Sequence, residues 1–220
     1  MTSVTAILVT YNSRSIIRQS LENLKKSKEI AQVIVVDNNS SDDSCAIISQ
    51  EFPYVELIRN NSNEGFGRAN NLALAQTKTD YALLINPDAF LDDGALTALV
   101  QCARHYSDAV IVAPQVRKPT GKVCRSCRPD LFHYDANDIR YKNYPDIEGD
   151  ICSLSFLTGS IWLVNMALLR KVGFYDPRFF LYHEDDDLCI RIRKAGYSVI
   201  QAHAARAMHM ISASSGVDNN

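Results

Sequence analysis

Tyr81-Ala82-Leu83-Leu84-Ile85-Asn86-Pro87-Asp88 is the stretch from which the rest of the chain can be placed. Tyr81 to Ile85 form a short apolar run between polar residues, too short for a helix, which predicts a buried strand. Pro87 lacks the N–H that a sheet ladder needs, so the strand must stop there. Asp88 is then left on a rigid turn at the carboxyl end of a central strand, the edge where open α/β sheets bind ligands. A carboxylate held in this way suits a hard divalent cation that bridges a diphosphate. The plainer alternative is a cap for a helix beginning near Asp92, since aspartate is common at such turns.

Upstream, Val4 to Thr10 is a nearly continuous β-branched run, as expected of a buried parallel strand. Ile16, Ile17, Leu21 and Leu24 recur at helical spacing. A second strand over Gln32 to Val36 ends at Asp37-Asn38-Asn39-Ser40. A helix through Cys45, Ile48 and Phe52 stops at Pro53, and Val55 to Ile58 is a third strand. Asn63 to Asn71 leads into a helix continued by Leu72 and Leu74. Downstream of Asp88, Ala95 to Tyr106 is helical, and Ala109 to Ala113 is a strand closed by Pro114. This alternation predicts a doubly wound parallel sheet. Residues 115–150 are polar and proline-punctuated, a long irregular segment. Order resumes over Ile151 to Leu157 and Ile161 to Val164. Helices follow at Met166 to Val172 and around Leu188 to Ala195, then a late strand at Ser198 to Ala202 and a polar tail over Ser212 to Asn220.

The 220 residues are 46% hydrophobic and 22% charged, with a formal net charge of -2. That balance argues against nucleic-acid binding through bulk electrostatics. No apolar run approaches the roughly 20 residues that span a bilayer. The amino-terminal residues lack a basic segment followed by a long apolar one, so a cytoplasmic protein is expected, with peripheral membrane attachment left open. Six cysteines are expected as reduced thiols. Only Cys124 and Cys127 have ligand spacing, and no second pair completes a zinc site.

Three predicted strand ends carry polar clusters, Thr10-Tyr11-Asn12, Asp37-Asn38-Asn39 and Asn86-Pro87-Asp88, and parallel topology brings them to one edge. That crevice suits a nucleotide. Tyr11 offers a ring for stacking, and Asp37 or Asn38 can meet a base edge or ribose. In Asn63-Glu64-Gly65-Phe66-Gly67-Arg68, two glycines permit close backbone approach at a helix N-terminus, and Arg68 suits a phosphate. A solvent-facing arginine beside a glycine loop is the bland alternative. Further on, Tyr182-His183 precede four acids, Glu184-Asp185-Asp186-Asp187, at the start of an amphipathic helix. Complementing the helix dipole explains four acids there. It does not explain why they follow the apolar run Phe179 to Tyr182. Burial and crowding would raise a carboxyl into the range of a general base. His209 would gain a metal-binding role only if the late strand returned beside Asp88.

Thr10-Tyr11-Asn12, Val36 to Ser40, Asn63 to Asn71, Asn86-Pro87-Asp88 and Glu184 to Leu188 together resemble family 2 glycosyltransferases, most of all the bacterial rhamnosyltransferase type. The resemblance extends from about Val4 to His209. It implies a GT-A α/β fold, with a mostly parallel central sheet, helices on both faces and a smaller mixed carboxyl-terminal part. Residues 1–114 would form the nucleotide-sugar-binding half, and 115–220 the acceptor-binding and catalytic half of the same domain. The implied activity is inverting transfer of a sugar, rhamnose by the nearest likeness, to a hydroxyl of a growing cell-surface glycan. A non-catalytic nucleotide-sugar-binding subunit is the alternative. The donor would be a dTDP or UDP sugar and the acceptor a glycan or lipid-linked saccharide, at the inner membrane face if peripheral. Thr10, Tyr11, Asn12, Asp37, Asn38, Gly67, Arg68, Asn70, Asn86 and Asp88 would line the donor. Asp185 would be the catalytic base, with Glu184 the alternative, and Gly159 and Trp162 would sit near the acceptor. Mg2+ or Mn2+ would rest on Asp88 and His209, although Asn86 stands where the family's metal motif begins with an acid. Relatives commonly extend further at the carboxyl terminus.

Overall fold

The structure is a computed structural model describing residues 2–124 and 156–210, and the backbone of Cys127–Arg128. Most of the expected irregular segment, residues 151–155, the tail and the side chains of Cys127 and Cys152 lie outside the described residues. The first half alternates strands and helices as the apolar periodicity predicts. β1 is Val4–Thr10, α1 Ile17–Lys25, β2 Ile30–Asp37, α2 Ser44–Glu51, β3 Val55–Arg59, α3 Phe66–Gln76 and β4 Tyr81–Ile85. Then come β5 Ala89–Leu91, α4 Ala95–His105, β6 Ala109–Arg117, β7 Cys127–Arg128, β8 Phe156–Leu157 and β9 Ile161–Asn165. α5 is Met166–Val172, α6 Glu184–Lys194 and β10 Ser198–His209.

Eight strands form one sheet in the order β3-β2-β1-β4-β9-β6-β10-β5, and β7 pairs with β8 separately. β1, β2, β3 and β4 run parallel, as do β6 and β10. β9 is antiparallel between β4 and β6, and β5 is antiparallel on β10. The carboxyl-terminal strands therefore enter the same sheet as the first half. Alternate strand residues feed two cores. Val4, Leu8, Val33 and Val35 pack against α1, α2 and α4, while Ile7, Ile34, Val36 and Leu84 pack against α3, α5 and α6. Among the described residues no helix is long and apolar enough to cross a membrane.

Three boundaries differ from expectation. Pro114 does not close β6, which continues to Arg117, because it sits where the register of β6 on β10 shifts between Ala202 and Arg206. A proline is tolerated at such an irregularity. β5 was too short to see in the sequence. β10 runs on to His209 because β6 and β5 both supply ladder partners for a segment of low strand propensity.

Candidate active site

Parallel pairing sets Thr10 opposite Asp37, and Asp37 opposite Arg59, at the carboxyl ends of β1, β2 and β3. β4 ends beside them and delivers Asn86 and Asp88. Asp88 caps no helix: α4 begins seven residues later, behind Gly94 in a left-handed conformation. Asp88 is 1% exposed. Its Oδ1 lies 3.1 Å from His209 Nε2, since β10 returns against β5 with His209 opposite Ala89. The late strand thus brings the histidine to the aspartate.

The acid cluster divides in two. Asp186 meets His183 Nδ1 at 3.0 Å and Asp187 accepts from Arg191 Nε at 2.7 Å, so these two serve the helix and its flanking turn. Glu184 is buried, and Asp185 accepts a hydrogen bond from the Gly159 N–H at 3.2 Å. Burial raises both carboxyls above their ordinary range, with neighbouring carboxylates adding to it and backbone N–H donors opposing it. One residue beyond Gly159, the Ser160 carbonyl accepts the Asn86 N–H at 2.9 Å. A single turn, Gly159–Ser160, therefore joins the Asp185 helix to the Asp88 turn.

Eight buried side-chain polar atoms among the described residues have no hydrogen-bond partner in the protein. Seven belong to this edge and its adjoining wall: Thr10 Oγ1, Asp37 Oδ1, Asn86 Oδ1, Asp88 Oδ2, Trp162 Nε1, Tyr175 Oη and Glu184 Oε2. Buried polar groups are ordinarily paired; the orphaned oxygens of Thr10, Asp37, Asn86 and Asp88 gather at the carboxyl ends of β1, β2 and β4, where a polar ligand would meet them, while those of Trp162 and Tyr175 lie behind that edge. The Asp88 carboxylate and the His209 imidazole, 3.1 Å apart, are one oxygen and one nitrogen donor of the kind that suit Mg2+ or Mn2+. No group of three or more His, Cys, Asp or Glu occurs among the described residues. Diphosphate oxygens and water would have to complete the shell, which is usual for Mg2+. The residues present fit such an ion.

The candidate donor residues separate by what their atoms already do. Tyr11 is 52% exposed, a ring open for stacking. Thr10, Asp37, Asn86 and Asp88 each keep an unpartnered buried oxygen. Five others are engaged within the fold. The Asn12 side-chain carbonyl accepts the Ser41 N–H at 2.8 Å, which ties two loops together. Asn38 donates to Gly65 O and accepts from Asn60, so both ends of its amide are used. Gly67 is buried, and a Cβ there would lie 3.1 Å from Tyr175 Cβ. Arg68 Nε donates to the Pro177 carbonyl at 2.6 Å, and Asn70 donates back to Phe66 O. These bonds tie the donor-side loops to one another and to the segment that follows Gly173.

On the acceptor side, Gly159 borders Asp185, whereas Trp162 is 0% exposed and lies behind the wall instead of on it. Its ring stacks on Tyr175 with centroids 6.2 Å apart and planes 11° apart. Tyr175, not singled out in the sequence, is buried and keeps a neutral phenol. Burial, then the charges of Asp185 and Glu184, push its pKa well up. Arg191 is another unforeseen residue: it donates to the carbonyls of Gly173 and Phe174 at 3.1 and 2.7 Å. Cys45 lies beside Asp37, and burial and that carboxylate push its thiol up to about 11, so it is no ready nucleophile. Cys45, Cys124 and Cys189 form no disulfide among the described residues; the Cys127 half of the spaced pair lies outside the described side chains.

The chain is 28% identical over 244 residues to the N-acetylglucosaminyl-diphospho-decaprenol L-rhamnosyltransferase of Mycobacterium tuberculosis (strain ATCC 25618 / H37Rv), covering 99% of this chain and 80% of that one. It is 29% identical over 226 residues to the rhamnosyltransferase WbbL of Escherichia coli (strain K12), covering 93% and 81%. The fold matches the crystal structure of GalNAc-T7 with UDP, GalNAc and Mn2+ with a TM-score of 0.76 at 14% identity. That match covers 95% of this chain but 44% of the solved one, and it shows the fold alone, which is of the GT-A type. The family model for Glycosyl transferase family 2 matches residues 5–173, and the chain belongs to that family.

Proposed function

We propose that the protein is an inverting glycosyltransferase that moves a sugar from a nucleoside diphosphate to a hydroxyl of a saccharide acceptor in glycan biosynthesis. Rhamnose carried by dTDP or UDP is the donor favoured by the likeness to two rhamnosyltransferases. One of those relatives is named for a diphospho-decaprenol-linked acceptor, which favours a lipid-linked saccharide met at the inner membrane face. The observation that carries the proposal is the Gly159–Ser160 turn, whose backbone links the turn bearing the buried carboxylate of Asp88 to the half-buried Asp185, a carboxyl of raised proton affinity.

Tyr11 would stack on the base, and Thr10 and Asp37 would meet the nucleoside. Asp88 and His209 would hold the divalent cation, which when bound offsets charge on the departing diphosphate. Asp185 takes the proton from the acceptor hydroxyl as its oxygen bonds to the anomeric carbon. The bond to the diphosphate breaks on the opposite face, and configuration inverts. Gly159, by donating to Asp185, holds the carboxylate toward the incoming hydroxyl. The assay is incubation with dTDP- and UDP-sugars, Mn2+ or Mg2+, and a short-chain prenyl-diphospho-saccharide, with the anomeric configuration of the product read by NMR. Donor binding without transfer or donor hydrolysis under any of these conditions would favour the non-catalytic subunit.

A further inference from the structure

We infer that Asn71 is a positioning residue for Asp185: its carboxamide fixes the strap of residues 174–183, which carries the chain into the start of α6. The inference rests on the reading of Asp185 as the base. Asn71 Nδ2 donates to the Tyr175 carbonyl at 2.8 Å, and Asn71 Oδ1 accepts the Tyr175 N–H at 3.0 Å. Only a side chain with a donor and an acceptor side by side can clamp a single residue's backbone in this way. Two more bonds run from the same motif to the strap: Arg68 Nε to Pro177 O at 2.6 Å, and the Phe66 N–H to Phe180 O at 3.1 Å. Phe66, Arg68 and Asn71 therefore hold the strap at three points along α3. At its first turn, the helix N-terminus that suited a phosphate holds a carbonyl of the strap.

The strap reaches the carboxylate by two routes. By chain, it ends in Tyr182 and His183, both left-handed with φ of 66° and 69°, directly before Glu184. Consecutive non-glycine residues in that region persist only where the surroundings over-determine them. By packing, the Tyr175 ring stacks on Trp162, and Trp162 Cζ2 lies 3.8 Å from where a Gly159 Cβ would be. Gly159 in turn holds Asp185. Arg191 closes the circuit from α6 by gripping the carbonyls of Gly173 and Phe174. Releasing Tyr175 loosens both routes together.

Full-length Asn71→Ala, Asn71→Asp and Arg68→Ala would be compared with the wild type. Three quantities would be read: kcat, affinity for UDP and dTDP by calorimetry, and hydrogen exchange. A carboxylate displaced by about 1 Å loses on the order of 10²-fold in rate. Asn71→Ala is expected to lose kcat on that scale with nucleotide affinity unchanged and with faster exchange over residues 175–187 alone. Asn71→Asp sets a carboxylate oxygen against the Tyr175 carbonyl in place of the donor, and should lose at least as much kcat as Asn71→Ala. Arg68→Ala, at an exposed position, should shift the same readouts less. Lost nucleotide affinity with kcat retained would make Asn71 a donor contact and overturn the inference, as would unchanged kcat. If the wild type proves to have no turnover, the transferase reading fails. Exchange then judges the clamp: unchanged protection over residues 175–187 overturns it.

Discussion

Replacing Gly65 with alanine tests how tightly the strap is held. Gly65 has φ 82° and ψ 174°, a region essentially reserved for glycine, where another residue costs about 1–3 kcal/mol. A Cβ there would also stand 2.0 Å from the Phe180 carbonyl oxygen. No side-chain rotation relieves a clash with backbone, so the strap must retreat and the Phe66–Phe180 hydrogen bond must break. That bond contributes roughly 0.5–1.5 kcal/mol net. The combined loss is about 1.5–4.5 kcal/mol, and a domain of this size loses about 2–4 °C in Tm per kcal/mol, so Tm should fall by about 3–18 °C. Gly196→Ala is the internal control, with φ 80° and nothing within 4 Å of the added Cβ. It carries a positive-φ cost without the clash. Scanning calorimetry of both variants, alongside transfer rates, separates the contributions. Equal Tm losses for the two, with Gly65→Ala fully active, would refute the close-approach account.

Three further outcomes follow from the site. Burial raises the Glu184 carboxyl, so the native state binds its proton more readily than the unfolded chain does, and stability falls as pH rises through that interval. Glu184→Gln should therefore raise Tm at pH 7, and the gain should vanish below the unfolded carboxyl's ordinary value, about 4.3. Burial raises Asp185 as well, and a base acts ionised, so the acid limb of the kcat profile should lie above the ordinary aspartate value of about 3.9. A limb at or below that value would contradict the assignment. Asp88→Asn and His209→Gln should each raise the Mn2+ concentration needed for half-maximal rate about tenfold or more. A rate indifferent to chelation and to both substitutions would remove the metal role.

The amino-terminal half of the fold was legible because buried parallel strands are written as unbroken apolar runs, as in Ala6-Ile7-Leu8-Val9 and Val33 to Val36. β10 was legible only in its first half. His203 to Ala205 fall in the register shift, and Arg206 to His209 carry little strand signal and are held by pairing with β6 and β5, which a local reading cannot see. At the site, residue type was legible and direction was not. Asn38 and Arg68 are plausible ligand contacts by chemistry, yet their hydrogen bonds go to Gly65, Asn60 and Pro177. Tyr175 carried no motif of its own. The available signal was its place just after Gly173, a helix-ending glycine with φ 93°, and before Asp176-Pro177, where a turn must reorient the chain.

Transfer by Asp185→Asn, measured beside UDP and dTDP affinity for the same variant, bears most directly on the proposed chemistry. Asparagine keeps the shape and can still accept from Gly159, but it cannot take a proton from the acceptor hydroxyl. The expected result is a fall in kcat on the order of 10²–10⁴-fold with nucleotide affinity unchanged. Transfer at the wild-type rate, or parallel loss of nucleotide affinity and activity, would contradict Asp185 as the base.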